Sequence, residues 1–392
     1  MTRVVIAAGE PSGDRHAGHL ITELRNRLPN LSVFGMGGDA SRAAGMECWV
    51  DIKGMAVIGL IEVLKHYRSI RRALQAMKRG IETCRPDILI LVDYVEFNLQ
   101  LASHAKSLGI RVLFYISPQV WAWRSGRAAR IRRSVDAMAV LFPFEVEFYK
   151  NAGIPVRYVG NPLVDDFERS GGRQYWYPLR DALAREERRF CIGLLPGSRD
   201  SEIDRHLDLM LQTAARLRKR LDAPRFVLAL APNLSSEDVV RRRCVEEGVE
   251  VVEGGADEVF RSAHAILSSS GTATLEAGLH AVPMAVIYKT SRLTYLILKR
   301  LILIPNIALV NIVHGRSIVS EFIQGDANPA ALSEHLDSLL KVSDERISMT
   351  EALKSTRDKL GEPGGSVRVA QMAIELLNGG LKSETPTSAE AN

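Results

Sequence analysis

The sequence predicts an α/β protein with two doubly wound parallel-sheet (Rossmann-like) domains that face a cleft. Short apolar runs alternate with amphipathic stretches along most of the chain, which is typical of β-α units around a parallel sheet. This pattern begins a second time near the middle of the chain. A length of 392 residues also suits two domains of similar size.

Eleven apolar runs define the predicted strands. The run 88–92 (ILILV) is apolar at every position, which favours a central parallel strand covered on both faces. The predicted strands of the first half are 4–8, 31–35, 88–92, 112–116, 137–142 and 156–159. Those of the second half are 191–195, 226–231, 249–252, 265–268 and 284–288.

These runs set the predicted domain boundaries at residues 1–165 and 186–362. The stretch 162–187 between them contains the pair Gly171-Gly172, and we interpret it as the linker region. The chain has a helical pattern from Pro329 onward, and a helix is predicted over 363–378, with its return to the first domain left open. The tail 379–392 has the composition of a disordered segment.

Composition excludes several classes of protein. The 51 basic and 46 acidic side chains give a net charge of +5, and they are spread along the chain, so no nucleic-acid partner is expected. The four cysteines are far apart and form no C-x-x-C pair, which indicates reduced thiols in a cytoplasmic protein. The N-terminus does not resemble a signal peptide. No apolar run approaches the roughly 18 residues of a membrane span, so we expect a soluble chain.

Ligands of open parallel sheets bind beyond the carboxyl ends of the strands. After the first strand, Gly9 and Gly13 bracket a predicted turn that opens a helix, whose N–H groups can receive an anion or a sugar hydroxyl. The candidate ligand contacts in this segment are Glu10, Ser12 and Gly13. A plain β-α turn capped by Asp14 is the alternative, and a second glycine turn at 35–39 is equally ambiguous. Neither turn matches a dinucleotide or Walker motif.

Asp93 follows the fully apolar strand and is the candidate general base. Apolar walls behind a carboxylate raise its pKa, which suits proton abstraction. The alternative is a helix cap, since a helix is predicted to begin near Phe97. Glu96 fits a capping or supporting role better than a catalytic one, and Asn98 joins the candidate ligand contacts.

The segment 115–124 (YISPQVWAWR) places aromatic and cationic side chains after another strand. Aromatic rings stack on sugar faces and arginine binds phosphate. The candidate sugar or phosphate contacts in this segment are Ser117, Trp121 and Arg124. A packed loop is the alternative.

In the second half, two strand ends have features that suit a diphosphate. Arg199 can neutralise it with a bidentate contact, while Gly197 lets the backbone approach. The segment 268–276 runs from a strand into a helix, so its N–H groups suit a second phosphate contact and Glu276 can accept from ribose hydroxyls. The candidate diphosphate and ribose contacts in these two segments are Gly197, Ser198, Arg199, Gly271, Thr272 and Glu276.

No metal or other cofactor is expected. His16 and His19 stand at i, i+3 without further ligands, which favours packed or solvent-facing histidines. The chain has no Asp-x-Asp motif to hold a divalent ion on a nucleotide diphosphate. Charge neutralisation is therefore assigned to Arg199, to helix N-termini and, as a further candidate, to Lys289.

Residues 55–64 are apolar, and Lys65, Arg68 and Arg72 continue them on one helical stripe. Such a stretch can dock on an anionic membrane surface or admit acyl chains. A buried helix with a hydrated basic end is the alternative.

Taken together, these segments closely resemble the lipid-A-disaccharide synthase family. The matching segments occur in family order from residue 8 to about 324, and they are AGEPSGD, GMGG, IGLIEVL, VDYVEFN, YISPQVWAWR, FPFE, LLPGSR, SSSGTATLE, PMAVIYK and NIVHGRSIVSEFIQ.

The resemblance implies the GT-B architecture, with the acceptor in the N-terminal half and the UDP-sugar in the C-terminal half. It thereby assigns to the acceptor the candidate contacts Glu10, Ser12, Gly13, Asn98, Ser117, Trp121 and Arg124. It assigns to the UDP-sugar the candidate contacts Gly197, Ser198, Arg199, Gly271, Thr272 and Glu276. The implied reaction joins UDP-2,3-diacylglucosamine to 2,3-diacylglucosamine 1-phosphate and releases UDP. The family's required acid falls on Asp93, and its donor-site residues fall on Arg199, Glu276 and Asn311. Family members bind the cytoplasmic face of the inner membrane peripherally. A homodimer is left open.

Three departures from the family pattern concern substrate detail. Val95-Glu96 replaces Pro-Asp, Asn161 replaces a histidine, and Val310 replaces the proline before Asn311. The rival hypotheses are another GT-B UDP-sugar transferase or epimerase, and a non-catalytic paralogue that binds nucleotide sugar or lipid.

Overall fold

The computed structural model describes residues 1–53, 60–117, 128–172, 190–231, 234–253, 256–291, 295 and 305–380. The chain divides into two compact units. The first comprises Met1–Pro162 and the segment that begins at Glu362, and the second comprises Leu163–Gly361. Each unit contains one parallel sheet flanked by helices, which confirms the predicted α/β class with two parallel-sheet domains.

The sheet of the first unit has seven described strands in the order β3-β2-β1-β4-β5-β6-β7. All of its neighbouring pairs are parallel. The strand order reverses between β1 and β4, which is where open α/β sheets bind ligands. The strands are β1 (Thr2–Ala8), β2 (Leu31–Gly37), β3 (Glu47–Asp51), β4 (Ile88–Val92), β5 (Arg111–Tyr115), β6 (Ala137–Val140) and β7 (Val156–Tyr158).

Strand β4 shows why this sheet is buried. All five of its residues are fully buried, and alternate side chains enter different cores. Leu89 and Leu91 belong to one cluster, whereas Ile88, Ile90 and Val92 belong to the other. Successive side chains of a strand point to opposite faces, so an uninterrupted apolar run fits a sheet covered on both sides. The prediction for this strand is confirmed.

Helices cover both faces of the first sheet. They are α1 (Pro11–Arg27), α2 (Asp39–Ala43), α3 (Leu60–Cys84), α4 (Val95–Ser107), α5 (Ala128–Ser134) and α6 (Pro143–Asn151). Helix α7 (Pro162–Arg169) follows at the boundary between the units, within the stretch predicted to be a linker. The linker assignment stays a prediction, and residues 173–187 lie outside the described part of the chain.

The second unit has six described strands in the order β10-β9-β8-β11-β12-β13, all parallel. The strands are β8 (Cys191–Leu195), β9 (Arg225–Leu230), β10 (Glu250–Glu253), β11 (Ala265–Ser269), β12 (Met284–Tyr288) and β13 (Ser320–Ile323). The helices are α8 (Asp200–Arg218), α9 (Glu237–Glu246), α10 (Asp257–Ser262), α11 (Thr272–Leu279), α12 (Leu309–His314), α13 (Pro329–Leu340), α14 (Asp344–Lys354) and α15 (Thr356–Lys359).

A last helix, α16 (Gly365–Leu377), packs against the first unit. Its apolar side joins the core formed by α1 and the sheet. Arg157 makes two contacts of 3.0 and 2.9 Å with the carboxylate of Glu375, and Nε of Arg368 donates to the carbonyl oxygen of Val159 at 2.8 Å. These polar contacts fix the helix at the β7 side of the sheet. Residues 381–392 of the predicted tail lie outside the described ranges.

Two edge strands, β3 and β13, are absent from the sequence prediction. Both are short, and β3 begins and ends with the exposed residues Glu47 and Asp51. An edge strand is covered less completely than a central one, so it needs no continuous apolar run and produces a weak sequence signal.

The glycine-rich segment after residue 35 also differs from its prediction, because β2 continues through Gly37 instead of turning at Gly35. A Cβ on Gly35 would lie 1.9 Å from the carbonyl oxygen of Ile6. This glycine therefore permits a close approach between two strands. In the described part of the chain, no helix is long and apolar enough to cross a bilayer.

Candidate functional site

The carboxyl ends of β4 and β5 carry three residues in an unusual backbone conformation. The φ angles of Asp93, Tyr94 and Ile116 are +50°, +45° and +65°. Positive φ is uncommon for residues other than glycine, and it persists where the surrounding structure maintains it. The two strands are neighbours, and the backbone N–H of Asp93 donates to the carbonyl oxygen of Tyr115 at 3.1 Å. Asp93 is half-buried at this edge.

Asn98 stabilises the turn at Asp93 from inside the protein. Its side-chain Nδ2 lies 2.6 Å from the carbonyl oxygen of Asp93 and 3.2 Å from those of Val92 and Ala7. The side chain is fully buried. Asn98 therefore supports the turn that carries Asp93, and its contact with the acceptor stays a prediction. Helix α4 begins at Val95, two residues before the predicted start.

Tyr94 lies over Gly9, at the end of the neighbouring strand β1. A Cβ on Gly9 would stand 2.2 Å from Cδ1 of the Tyr94 ring, so only glycine fits there. The next residue, Glu10, has an extended backbone and is the N-cap residue of α1, but its side chain makes no capping hydrogen bond. Burial raises the pKa of Tyr94, and the charge of Glu10 raises it further. Ser12 is exposed and Gly13 is buried in the first turn of α1.

Asp14 links the first two glycine-rich motifs. Its buried carboxylate accepts hydrogen bonds from the backbone N–H groups of Gly38, Ala40 and Ser41 at 2.7, 2.9 and 3.2 Å. It therefore caps α2 and not its own helix, which corrects the predicted cap. A Cβ on Gly38 would lie 2.8 Å from the Asp14 carboxylate, so this glycine lets the carboxylate approach the backbone.

Ser117 is likewise held from within the protein. Its hydroxyl donates to the carboxylate of Glu145, which is 2% exposed. The other carboxylate oxygen of Glu145 accepts from the backbone N–H groups of Leu141 and Phe142 at 3.1 and 3.0 Å. Ser117 is itself buried and supports this turn, and its contact with the acceptor stays a prediction. Trp121 and Arg124, which follow it, lie outside the described residues.

In the second unit, Glu202 shapes the loop that follows β8. One carboxylate oxygen accepts from the backbone N–H of Ser198 at 2.9 Å, and the other pairs with Nη1 of Arg199 at 3.0 Å. A Cβ on Gly197, at φ +128°, would lie 2.4 Å from this carboxylate. The Arg199 side chain is 44% exposed. A guanidinium has five N–H donors, so this ion pair leaves donors for a phosphate.

The loop after β11 leads directly into α11. Gly271 has φ +156° and ψ −163°, a conformation open essentially to glycine alone. No described atom lies within 4 Å of the position that a Cβ on Gly271 would occupy. The hydroxyl of Thr274 donates to the Gly271 carbonyl oxygen at 2.8 Å and fixes the start of the helix. Thr272 is exposed in the first turn and Glu276 is half-buried in the second.

Asn311 has no hydrogen-bonding capacity left for a ligand. Its Oδ1 accepts from the N–H groups of Ile318 and Val319, and its Nδ2 donates to the Val319 carbonyl oxygen and to Glu321. The side chain is fully buried. The predicted direct contact with UDP-sugar is therefore corrected to a role in shaping this loop.

Three carboxylates that organise these loops are absent from the sequence-based site. They are Glu145, Glu202 and Glu321, of which Glu321 accepts from the backbone of Ile307 and Ala308 at 2.9 and 3.0 Å. Glu145 and Glu321 lie within the family-like motifs FPFE and NIVHGRSIVSEFIQ, and Glu202 follows the motif LLPGSR by three residues. Their position in those motifs was the available signal. Spacing alone does not distinguish a glutamate that accepts backbone hydrogen bonds from one that is exposed.

The candidate residues of each unit come together at the carboxyl edge of one sheet. Glu10, Ser12 and Asp93 follow the adjacent strands β1 and β4, and the Arg199 and Gly271 loops follow the adjacent strands β8 and β11. Within the described ranges, no three histidine, cysteine or carboxylate residues are grouped as metal ligands would be. His16 packs 6.3 Å from the ring of Tyr115, and burial lowers its pKa to about 4.

This fold is that of GT-B glycosyltransferases and UDP-sugar epimerases. A structure of S. aureus MnaA with UDP matches 99% of each chain with a TM-score of 0.65 at 14% identity. A putative UDP-N-acetylglucosamine 2-epimerase from Listeria monocytogenes matches 96% of each chain with a TM-score of 0.64 at 12% identity. MurG from Acinetobacter baumannii has a TM-score of 0.56 at 15% identity and covers 95% of this chain and 99% of that one. At these identities, the likeness shows the fold alone.

Sequence comparison identifies the family. The model for lipid-A-disaccharide synthetase matches residues 4–374. The lipid-A-disaccharide synthase of Geobacter metallireducens is 44% identical over 96% of this chain and 97% of its own, and that of Syntrophotalea carbinolica is 42% identical over 95% of each. The chain belongs to the lipid-A-disaccharide synthase family and is therefore a glycosyltransferase that forms the lipid A disaccharide, as the sequence predicts.

Proposed function

We propose that this protein transfers 2,3-diacylglucosamine, with inversion, from UDP to the 6-hydroxyl of 2,3-diacylglucosamine 1-phosphate. The acceptor oxygen attacks the anomeric carbon, and the bond from that carbon to the UDP phosphate oxygen breaks. Its electron pair leaves with UDP. The products are UDP and a β-1,6-linked disaccharide 1-phosphate. The observation that carries the assignment is the left-handed Asp93–Tyr94 turn at the switch point of the first sheet.

Asp93 is the general base of this reaction. It takes the proton of the acceptor hydroxyl as the bond to the anomeric carbon forms. A base must be held in place, because catalysis depends on its reach to one proton. The hydrogen bond from Asn98 to the Asp93 carbonyl oxygen, and that from the Asp93 N–H to Tyr115, supply this support.

On the donor side, Arg199 and the N-terminus of α11 neutralise the diphosphate. Arg199 stands on a loop that Glu202 holds through two contacts, and no described atom lies within 4 Å of a Cβ on Gly271, beside the first turn of the helix. The diphosphate of UDP gains negative charge as the bond to the anomeric carbon breaks. Both the Arg199 guanidinium and the positive end of the helix dipole stabilise that charge. Glu276 accepts from the ribose hydroxyls. Gly197 and Ser198 provide the approach to the diphosphate, which is neutralised without a metal ion.

The acceptor contacts proposed in the first unit are Glu10, Ser12 and Gly13, at the switch point beside Asp93. Glu10 is half-buried and Ser12 is exposed, so polar groups are available at the start of α1. Trp121 and Arg124 stay sequence-based predictions for the same substrate.

We also propose that the protein associates peripherally with the cytoplasmic face of the inner membrane through residues 55–72. Arg68 and Arg72 of α3 are exposed, whereas Ile70 packs against the core, as a surface helix requires.

Charge reversal of Lys65, Arg68 and Arg72 is expected to abolish sedimentation with anionic liposomes. Reversal of the exposed Arg79 further along the helix is the control, and retained binding by the triple variant would contradict the proposal.

The deciding experiment measures UDP release in detergent micelles from UDP-2,3-diacylglucosamine, with and without 2,3-diacylglucosamine 1-phosphate, in the presence of EDTA. We expect release that requires the acceptor and is unaffected by EDTA. Sugar isomerisation without acceptor would indicate an epimerase instead. UDP binding without turnover would indicate a non-catalytic paralogue, and loss of release in EDTA would contradict the metal-free mechanism.

A further inference from the structure

The first two turns of α8 contact three different loops at the carboxyl edge of the second sheet. Asp200 accepts hydrogen bonds from the backbone of Ser235 and Ser236, which follow β9, at 3.2 and 2.9 Å. Glu202 holds the loop that follows β8. One turn further, His206 reaches the loop after β8 and also the end of β12.

His206 connects two backbone groups with its two ring nitrogens. Nδ1 lies 2.8 Å from the carbonyl oxygen of Pro196, and Nε2 lies 3.3 Å from the backbone nitrogen of Lys289. A carbonyl oxygen only accepts and a backbone N–H only donates. The hydrogen-bond partners therefore assign a neutral ring with its proton on Nδ1.

The surroundings of the ring agree with that neutral form. His206 is 3% exposed. Burial lowers its pKa, as do the charges of Arg205 and Lys289, whereas the Pro196 carbonyl and Glu202 raise it. A second ring proton would point at the N–H of Lys289 and remove one of the two contacts.

No ladder hydrogen bond joins β8 to β12, because β11 lies between them in the sheet. His206 therefore links the loops on either side of the Gly271 loop, which follows β11. We infer that His206 is a positioning residue of the donor site, which fixes the Pro196–Arg199 loop relative to Lys289 around the diphosphate. This inference rests on the proposed function, since it requires that the Arg199 loop binds UDP.

A second buried histidine in the same unit provides a matched control. His264 is 8% exposed, and its Nδ1 accepts from the backbone N–H of Cys191 at 2.9 Å. Cys191 begins β8, whereas Pro196 follows the end of the same strand. The two histidines thus make comparable contacts at opposite edges of one sheet, and only His206 is on the edge that carries Arg199.

The experiment compares His206→Leu with His264→Leu. We expect His206→Leu to weaken UDP binding, measured by calorimetry, about tenfold, because two buried backbone groups lose their partner. The KM for the UDP-sugar should rise by a similar factor, and the KM for the acceptor should stay within twofold. His264→Leu should lower the thermal midpoint but leave the UDP Kd within twofold.

A conservative variant tests the contact to Pro196 and remains informative if His206→Leu does not fold. The amide nitrogen of His206→Asn occupies about the place of Nδ1 and can still donate. If His206→Leu folds, we expect His206→Asn to bind UDP at least threefold more tightly than it does. If His206→Leu does not fold, we expect the UDP Kd of His206→Asn to lie within about threefold of the wild-type value. A UDP Kd of His206→Asn that is tenfold above the wild-type value would contradict the assigned contact with Pro196.

Unchanged UDP binding in a folded His206→Leu variant would overturn the inference, as would an equal loss in His264→Leu. The variant Arg199→Ala separates this failure from that of the proposed function. If Arg199→Ala weakens UDP binding and His206→Leu does not, only the role of His206 is wrong. If Arg199→Ala has no effect, the donor site itself is misplaced.

Discussion

The side-chain amide of Asn98 donates a hydrogen bond of 2.6 Å to the carbonyl oxygen of Asp93, whose own backbone is left-handed. A buried side chain thereby stabilises a conformation that the local chain would not adopt alone. Such strain costs about 1–3 kcal/mol per residue and persists only where the surroundings maintain it. The relationship explains how the acid at the end of β4 is held at the switch point.

Asn98→Ala should therefore reduce both stability and turnover. The carbonyl oxygens of Asp93, Val92 and Ala7 lose a donor in a buried site, and we expect the free energy of unfolding to fall by about 2 kcal/mol. Because the turn relaxes, kcat should fall at least tenfold at saturating substrates. Urea unfolding and steady-state assays measure both effects. Asn151→Ala, at an exposed position, is the control, and full activity of Asn98→Ala would show that the turn does not need this support.

Asp93→Asn tests the general base directly. The amide keeps the size of the side chain but cannot take a proton, so kcat should fall by about 100- to 10,000-fold. UDP binding and the circular dichroism spectrum should be unchanged. Glu96→Gln is a matched control, since Glu96 is an exposed carboxylate three residues away, and it pairs with Arg130 at 3.7 Å. Near-normal turnover of Asp93→Asn would exclude this residue as the base.

Arg199→Ala should weaken UDP binding by about 10- to 100-fold, the range expected for a charge-assisted hydrogen bond to phosphate. Calorimetry with UDP alone measures this without acceptor. Arg225→Ala is the control, because Arg225 is an exposed arginine that pairs with Glu250 at the amino end of β9. Equal UDP affinity in the wild type and in Arg199→Ala would remove Arg199 from the donor site.

Acid should destabilise the second unit through His314. Burial, together with the charges of Lys359 and Arg316, lowers its pKa to about 4. In the unfolded chain, histidine has a pKa of about 6.5, so between these values the unfolded state binds a proton that the folded state does not. Its contribution to stability is complete above pH 6.5 and is lost as the pH falls toward 4.

His314→Gln removes this titration. Between pH 7.5 and pH 4.5, the free energy of unfolding of the variant should therefore decrease less than that of the wild type. At pH 7.5, the difference in the free energy of unfolding between the two proteins measures the effect of changing the contact between Nε2 of His314 and Oγ1 of Thr356, which is 3.0 Å long. An identical pH dependence of the two proteins would show that His314 titrates alike in both states.

Much of the fold could be predicted because central strands carry a strong local signal. The runs 88–92 and 191–195 match β4 and β8 at both ends, since every residue of a doubly covered strand is apolar. The edge strands β3 and β13 lack that signal. In the candidate site, the positions of Asp93 and Arg199 followed from strand ends, but the supporting roles of Asn98, Ser117 and Asn311 did not.

The sequence by itself determined the class of fold, the family and the segments that meet at each sheet edge, because apolar periodicity and motif order are properties of the linear chain. The tertiary structure decided which polar side chains face a ligand and which support a loop. Asp14 caps a helix that begins 25 residues later, and His206 joins Pro196 to Lys289 across an intervening strand. A hydrogen bond depends on which groups the strand order brings within about 3 Å, and a sequence pattern does not contain that distance.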